Sequence, residues 1–410
     1  MKKIIVAAVI TCFLIISFAS CSTLGKDCTH DIVIDEAISP TCTEDGKTEG
    51  KHCSKCGEVL LAQKKVDKIE HTEGKWIIEK DATFEEDGLN ILPCKACGLK
   101  IKEKITHKAS SGLEYQINDD GKTCVITGIG TCTDTEIYIP SAIDGVKVTG
   151  IREWAFFECK SITSVVIPVS VTNIGERAFK MCSSLASVEL PDGITKIEYG
   201  VFRRCSSLKT ITMPDGITKI GDTAFSDCRA LTSINIPNTV TNIGIHAFER
   251  CYSLTEIEIP DSVTTIGEYA FSRCIALANL KIGKGVTEFG EASFSGCTNL
   301  TKVELSEGLT TIGDYAFANC PSLVSITLPS GITSIGGHAF EKCTALESIE
   351  IPNTVTTIKY CAFKECAKLS SVEFNGTKSQ WKSIDKGQYW KQNITEAIIH
   401  CTDGEVKIRG

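Results

Sequence analysis

Two short motifs with paired cysteines are the residues of this chain that are best suited to chemistry. Residues 53–57 read Cys-Ser-Lys-Cys-Gly and residues 94–98 read Cys-Lys-Ala-Cys-Gly. The thiolates of a Cys-x-x-Cys-Gly turn can hold one tetrahedral Zn²⁺ together with two further ligands. Thr-Glu-Asp-Gly at 43–46 matches Glu-Glu-Asp-Gly at 85–88, so the two motifs belong to a diverged tandem repeat.

The remaining metal ligands must come from nearby cysteines and histidines. We expect one site to be formed by His30, Cys42, Cys53 and Cys56, and a second by His71, Cys94, Cys97 and His107. Closed sites with four protein ligands are typical of structural zinc. In an oxidising compartment the same cysteines could form disulfides instead. Residues 28–109 resemble two zinc-ribbon-like modules, and zinc and disulfides both stay open.

The rest of the chain repeats with a period of 23 residues. Phenylalanine, cysteine and an aliphatic residue recur together in ten units, and one unit, from Ile220 to Asn242, reads IGDTAFSDCRALTSINIPNTVTN. The cysteines are Cys159, Cys182, Cys205, Cys228, Cys251, Cys274, Cys297, Cys320, Cys343 and Cys366. Single units bury too little apolar surface to fold alone, so the pattern predicts stacked units with one shared core.

Each unit is expected to contain one short strand. Residues 231–236 alternate at their end between polar and apolar side chains, which is typical of a strand that Pro237 then ends. Gly244 is expected to allow a turn, and Phe248 to lie on a short turn or helical piece. The predicted fold is a repeat solenoid, a leucine-rich-repeat stack of parallel strands spaced by about 4.8 Å.

The repeated cysteines are expected to be buried thiols. Neighbouring units would place them about 4.8 Å apart and parallel, whereas a disulfide needs Cβ atoms about 3.8 Å apart. Each cysteine also lies between phenylalanine and leucine anchors, where a free cysteine acts as a small apolar residue.

The repeat Ala-Phe-x-x-Cys-x-x-Leu-x-x-Ile-x-Ile-Pro-x-x-Val-Thr-x-Ile-Gly resembles the BspA-like leucine-rich repeats. The resemblance covers about Leu113 to the C-terminus, with mild departures at Gly283, Ser306 and Asn375, which replace the usual proline, and at Lys359, which replaces the usual glycine. It implies a bacterial surface protein, because the family is largely one of surface proteins, some of them implicated in adhesion. It does not identify a ligand.

Both ends of the stack need caps. We expect ten repeats at 151–374, between a β cap at 110–150 and an aromatic-rich cap at 375–410. The first cap contains Cys124 and Cys132, which could form a disulfide or remain buried thiols. In the second, Trp381, Tyr389 and Trp390 are expected to cover the last repeat. Cys361 is expected at an exposed position, and its pairing with Cys401 stays open.

The N-terminus reads as a secretory signal. A basic start and an apolar run end at Phe18-Ala19-Ser20-Cys21, which resembles a bacterial lipobox. The resemblance implies that residues 1–20 are removed, that Cys21 is acylated and that residues 21–27 form a tether. An extracytoplasmic location at the cell surface or envelope, anchored only by acyl groups, follows.

The residues favour binding over catalysis. A net charge of −8 without a basic cluster disfavours nucleic acid, and no catalytic motif is found. We expect no enzyme, and a row of outward strand residues that contacts a protein or glycan at the cell surface: Glu189, Thr212, Asn235, Glu258, Lys281, Glu304, Thr327, Glu350 and Glu373. The alternative is a structural or scaffolding role in the envelope without a specific ligand.

Overall fold

A computed structural model describes residues 31–80, 88–106, 108–394 and 396–409. Its contacts divide the chain into two units, Met1–Gly74 with Leu92–Ile101 and Lys75–Ile91 with Lys102–Gly410. The predicted signal peptide, the lipidation site Cys21 and the tether lie outside the described residues, as do His30 and His107. In the described part of the chain, no helix is long and apolar enough to span a bilayer.

The cysteine-rich segment consists of short antiparallel strands joined by tight turns. Its strands are β1 (Ile32–Asp35), β2 (Gly46–Lys47), β3 (Gly50–Cys53), β4 (Val59–Leu61), β5 (Lys65–Val66), β6 (Ile77–Lys80), β7 (Gly88–Pro93) and β8 (Lys100–Thr106). They form the sheets β1-β3-β4, β2-β5 and β6-β7-β8. One cysteine motif connects β3 to β4, and the other connects β7 to β8.

The two cysteine motifs adopt the same turn. In each, the glycine N–H donates to the carbonyl oxygen of the first cysteine across 2.8 Å, Gly57 to Cys53 and Gly98 to Cys94. Both glycines have φ +74°, a left-handed conformation that L side chains rarely adopt. The sequence Cys-x-x-Cys-Gly therefore specifies the local fold.

The repeats form the predicted solenoid, and their longer strands stack in parallel along one side. This ladder contains β11 (Glu136–Tyr138), β14 (Ser164–Val166), β16 (Ser187–Glu189), β18 (Thr210–Thr212), β21 (Glu256–Ile259), β23 (Asn279–Ile282), β25 (Lys302–Glu304), β27 (Ser325–Thr327), β29 (Ser348–Ile351) and β31 (Ser371–Phe374). Successive partners are shifted by one repeat, as in Val165 opposite Val188.

A second ladder, absent from the prediction of one strand per unit, follows each longer strand. It contains two-residue strands: β15 (Asn173–Ile174), β17 (Lys196–Ile197), β19 (Lys219–Ile220), β20 (Asn242–Ile243), β22 (Thr265–Ile266), β24 (Glu288–Phe289), β26 (Thr311–Ile312), β28 (Ser334–Ile335), β30 (Thr357–Ile358) and β32 (Asp385–Lys386). Each except β32 buries its second side chain, so the apolar residue before the repeat glycine is an inward anchor.

Turns form the third side of each repeat. Alternate N–H groups donate to the next repeat, as from His246 to Glu268 and from Phe248 to Ala270. Gly244 is needed here for close approach, because a Cβ would lie 2.6 Å from the nitrogen of Asp222. The Ala247 N–H donates to the carbonyl oxygen of Gly244, so the expected turn begins at this glycine.

The core runs through all ten repeats. The ten repeat phenylalanines are at most 1% exposed, and neighbouring rings stack with centroids 5.1 to 5.7 Å apart. Nine of the ten repeat cysteines are buried, and Cys159 in the first repeat is half-buried. The predicted burial of the phenylalanine–cysteine–leucine edge is confirmed.

Extra strands close the solenoid at both ends. At the N-terminal end, β9 (Glu114–Ile117), β10 (Thr123–Gly128), β12 (Ala142–Ile143) and β13 (Val146–Ile151) form one sheet, in which β13 also pairs with β15. At the C-terminal end, α1 (Lys378–Ser383) is followed by β33 (Glu396–Cys401) and β34 (Gly404–Arg409). Trp381 is buried and Trp390 packs on the core, whereas Tyr389 is exposed.

Candidate functional site

The outward row of the first ladder is aligned as the sequence predicts. Strand pairing places Glu189 beside Thr212, Lys281 between Glu258 and Glu304, and Glu350 between Thr327 and Glu373. All nine side chains of the predicted row are exposed except Glu350, which is half-buried and accepts a hydrogen bond from Asn375. The row is therefore a polar surface made of several paired stretches, and its role in binding stays a prediction.

The ladder is interrupted where the sequence predicts another strand. Residues 231–236 contain no strand, and β18 does not pair with β21. The expected strand is wrong because alternation fixes which side chains point inward, but not how close the backbone lies to its neighbours. Ile234 is only half-buried, whereas its equivalents Ile211 and Ile257 are buried. A second interruption separates β25 from β27.

A groove of about 730 Å³ lies over the first interruption and the three strands that follow it. It includes four residues of the predicted row, Asn235, Glu258, Lys281 and Glu304. Beside them, the neighbouring row contributes Thr210, Ser233, Glu256, Asn279 and Lys302. The volume falls within the range of about 300–1,000 Å³ that is common for ligand sites.

The groove contains both signs of charge and free backbone groups. Lys281 Nζ lies 2.6 Å from Glu258 Oε1, and Lys302 Nζ lies 2.7 Å from Glu304 Oε1. None of the main-chain hydrogen bonds described for this part of the chain involves Ser233 to Ile236. Exposed amides, carbonyls, carboxylates and ammonium groups can together bind a polar, extended ligand.

Two other surfaces were not predicted from the sequence. A groove of about 800 Å³ lies between β9 and the second ladder, where Arg152 donates to Gln116 across 2.6 Å. On the turn side, the guanidinium of Arg177 lies between the rings of Trp154 and Tyr199, at 4.8 and 4.2 Å from their centroids. Neither surface can be predicted from the repeat period, because both depend on residues at positions that vary between repeats.

Four cysteine and histidine side chains of the first unit meet at one point. The ligand atoms of Cys42, His71, Cys94 and Cys97 all lie within 4.8 Å of one another. Cys42 Sγ is 3.8 Å from Cys94 Sγ, and Cys97 Sγ is 3.5 Å from His71 Nδ1. Cys42 and Cys94 are buried, while His71 and Cys97 are at the surface.

The thiols of this cluster differ in their acidity. A hydrogen bond with Cys97 and burial raise the pKa of Cys42 to about 11. Burial also acts to raise the pKa of Cys94, but the N–H groups of Cys97 and Ala96 and the His71 ring together lower it to about 5. The thiol of Cys94 is thus more acidic than the thiol of Cys42.

The predicted ligand sets are only partly brought together. His71, Cys94 and Cys97 meet as expected, but their fourth partner is Cys42, which was predicted to lie with Cys53 and Cys56. His52, which was not predicted, lies 2.9 Å from Asp35 and not in the cluster. The first predicted site cannot be assembled from described residues, since His30 lies outside them.

Cys124, Cys132, Cys361 and Cys401 are free thiols in the structure. Cys124 is buried, with its Sγ 3.7 Å from the carbonyl oxygen of Val146, and Cys132 is half-buried and unbonded to it. Cys361 is 1% exposed, so the expectation of an exposed position is wrong. Cys401, whose pairing with Cys361 the sequence left open, is half-buried in β33, and the two cysteines form no disulfide.

Several solved leucine-rich-repeat structures are similar to the chain. A protein from T. pallidum is 34% identical, with 46% of this chain and 88% of that chain covered and a TM-score of 0.43. A leucine-rich cell surface protein from Faecalibacterium prausnitzii is 29% identical, with coverages of 68% and 97% and a TM-score of 0.34. One from Bacteroides ovatus is 24% identical, with coverages of 70% and 97% and a TM-score of 0.36. No curated protein matches.

A family model matches most of the repeat region. The model describes a BspA type leucine-rich-repeat region and matches residues 131–252, 218–346 and 310–404. These ranges overlap and together cover more than half of the 410 residues. They include both strand ladders and the groove between β18 and β25. The chain belongs to the BspA-type leucine-rich-repeat family.

Proposed function

We propose that this chain is a cell-surface binding protein that contacts a protein or glycan through the first strand ladder. The observation that carries the proposal is the groove of about 730 Å³ at the interruption between β18 and β21. It coincides with the centre of the outward row predicted from the sequence. Repeat solenoids of this kind commonly use an extended face for ligands.

The chemistry of the groove favours a polar ligand over an apolar one. Its rim consists of carboxylates, ammonium groups and the amides of Asn235 and Asn279. Ser233, Ile234 and Asn235 also line the groove, and they offer backbone groups that a polypeptide or a hydroxyl-rich chain could pair with. Glu258 and Lys281 already neutralise each other. We therefore expect contacts with these paired charges to orient a ligand, and we do not expect the net charge of the groove to attract it.

Binding to a panel of immobilised extracellular proteins and a glycan array tests the proposal. The groove variant is Glu258→Lys with Glu304→Lys, and the control is Glu268→Lys with Glu288→Lys; all four side chains are exposed. Both double variants change the net charge equally, so non-specific attraction affects them alike. We expect a ligand of the unmodified chain to lose at least about tenfold in affinity only with the groove variant, about 1.4 kcal/mol.

Equal affinities of the two double variants for every ligand would contradict binding through the first strand ladder, which we call the strand-face proposal. The scaffolding role would instead be favoured by two results together: the chain binds nothing in the panel, and deletion of its gene from the native host changes envelope integrity. These two outcomes separate a binding surface from a spacer.

The proposal includes a surface location with acyl groups on Cys21. It is supported by the lipobox-like residues 18–21 after the apolar run. Cys21→Ala should release the chain from the membrane fraction in the native host, while Cys28→Ala should not. Retention of the Cys21→Ala variant in that fraction would contradict the anchor without touching the strand-face proposal.

A further inference from the structure

We propose that Cys42, His71, Cys94 and Cys97 bind one structural Zn²⁺, which is shared by the two cysteine-rich modules. Three thiolates and one imidazole are a common ligand set for structural zinc. The site differs from both sets predicted from the sequence, because it takes one ligand from the first module and three from the second.

The distances within the cluster match the edges of a zinc-centred tetrahedron. Zn–S bonds of about 2.3 Å at tetrahedral angles separate two sulfurs by about 3.8 Å, and a Zn–N bond of about 2.0 Å separates sulfur and nitrogen by about 3.5 Å. The Sγ atoms of Cys42 and Cys94 are 3.8 Å apart. Cys97 Sγ and His71 Nδ1 are 3.5 Å apart. All four atoms lie within 4.8 Å of one another, so a small contraction completes the site.

The backbone holds the second motif ready for a metal. The left-handed Gly98 and its bond to the Cys94 carbonyl oxygen close the turn. The Cys94 N–H donates to the carbonyl oxygen of Leu99 across 2.7 Å, and the Lys95 N–H donates to Thr72, next to His71. These bonds fix the ligands Cys94, Cys97 and His71 relative to one another.

The tandem repeat explains why Cys42 completes this site. Cys42 directly precedes Thr-Glu-Asp-Gly in the first module, and Phe84 directly precedes Glu-Glu-Asp-Gly in the second. The second module therefore has no cysteine of its own at this position. The structure supplies it from the first module, and the bound metal would tie the two modules together.

The first unit also has very little apolar core to hold it. Its buried apolar residues among those described are Cys42, Cys53, Leu92 and Cys94. Ile32, Ile34, Val59 and Leu61 are all exposed. Small units with such a core need a metal or disulfides to fold. At an Sγ separation of 3.8 Å, Cys42 and Cys94 are not covalently bonded. This geometry therefore fits a bound metal and not a disulfide.

Zinc binding by the reduced full chain, measured after removal of free metal, tests the assignment. In the Cys53→Ser/Cys56→Ser background, which removes the other motif, we expect one Zn²⁺ per chain to remain. Adding Cys42→Ser to that background should weaken zinc binding by at least about tenfold. Even the loss of a residue that only hydrogen-bonds to a zinc ligand lowers metal affinity by about 10–100-fold. In the Cys94→Ser/Cys97→Ser background, Cys42→Ser should change nothing.

Substitution with Co²⁺ supplies a readout that does not depend on folding alone. The thiolate-to-metal absorption should fall with Cys42→Ser, and the ligand-field bands should shift with His71→Ala, while the circular dichroism of the solenoid stays unchanged. An effect of Cys42→Ser only in the Cys94→Ser/Cys97→Ser background would overturn the assignment. So would a reduced chain that binds no zinc, or a chain whose native form carries a Cys42–Cys94 disulfide.

Discussion

The thiol of Cys251 donates to the carbonyl oxygen of Phe225, which lies 26 residues earlier in the chain, across 3.3 Å. The same bond recurs from Cys182 to Cys366, with distances of 3.0 to 3.4 Å. The repeat cysteine is therefore more than a small apolar residue: its weak S–H donor adds a second hydrogen bond to a carbonyl oxygen that already accepts the N–H of Cys228 within its own turn. This explains why the unit uses cysteine at a position that alanine could also fill.

The repeat cysteines should be chemically inert in the folded chain. Burial raises the pKa of Cys205, Cys251 and Cys297 well above the usual thiol range, and only thiolates react readily with iodoacetamide. We expect mass spectrometry to find these cysteines unlabelled at pH 8 until denaturant is added. Cys56 is exposed and should react without denaturant. Rapid native labelling of Cys251 would contradict the buried ladder.

Truncating one ring of the phenylalanine stack should cost much of the stability. Phe271 is fully buried between Phe248 and Phe294, with centroids 5.1 and 5.5 Å away. Phe271→Ala should lower the free energy of unfolding by about 3–5 kcal/mol, measured by chemical denaturation. Phe157→Ala is the matched control, because Phe157 is 37% exposed, and it should cost less than about 1 kcal/mol. Similar losses for the two would refute a continuous core.

On the turn side, replacing Thr223 with glycine should make the chain more stable. Thr223 has φ +54° and its counterpart one repeat earlier is Gly200 at φ +60°. A β-branched residue is strained in this region, so Thr223→Gly should stabilise the chain by about 0.5–1 kcal/mol even after the extra chain entropy of glycine. The reverse change, Gly200→Ala, should lower the melting temperature. A lower melting temperature for Thr223→Gly would show that the left-handed turn is not the native conformation.

One carboxylate near the C-terminal repeats should make stability depend on pH. Burial acts to raise the pKa of Glu341, but Lys364 at 3.1 Å and His338 at 2.7 Å outweigh it and hold the pKa below its usual range. A lowered folded pKa stabilises the chain above the unfolded pKa of about 4.3, and this contribution is lost as the pH falls through the folded pKa.

Glu341→Gln should therefore reduce the free energy of unfolding by about 1 kcal/mol at pH 7. The difference from the unmodified chain should shrink as the pH is lowered below about 4. Glu365→Gln serves as the control, since Glu365 is more exposed and lies 3.8 Å from Lys364. A difference for Glu341→Gln that persists unchanged at low pH would exclude this ion pair as its cause.

The sequence predicts the solenoid well because its period is a packing constraint. A phenylalanine every 23 residues can be buried in every unit only if the units stack in register, and the rings of Phe248 and Phe271 do stack. The second ladder was missed because two residues, such as Asn242 and Ile243, are too few to show alternation. Likewise, the pattern at residues 231–236 contains no information on strand separation.

The candidate sites were predicted less completely, for different physical reasons. The outward row follows from strand alternation, so Glu258 and Lys281 are found side by side as expected. The groove depends on a break in the first ladder, and no residue type in the sequence predicts that break. The cluster at Cys42 depends on the path of the chain between two modules, and ligand spacing along the sequence does not determine that path.

Hydrogen exchange of the full chain, alone and with the tightest ligand from the binding panel, tests the strand-face account most directly. In the free chain, the amides of residues 233–236 should exchange faster than those of Glu256–Ile259, because only the latter belong to a paired strand. With ligand, residues 233–236 and β21 to β25 should become protected while β20, β22 and β24 do not change. Protection confined to the second ladder or the turn side, with the groove unchanged, would contradict the account.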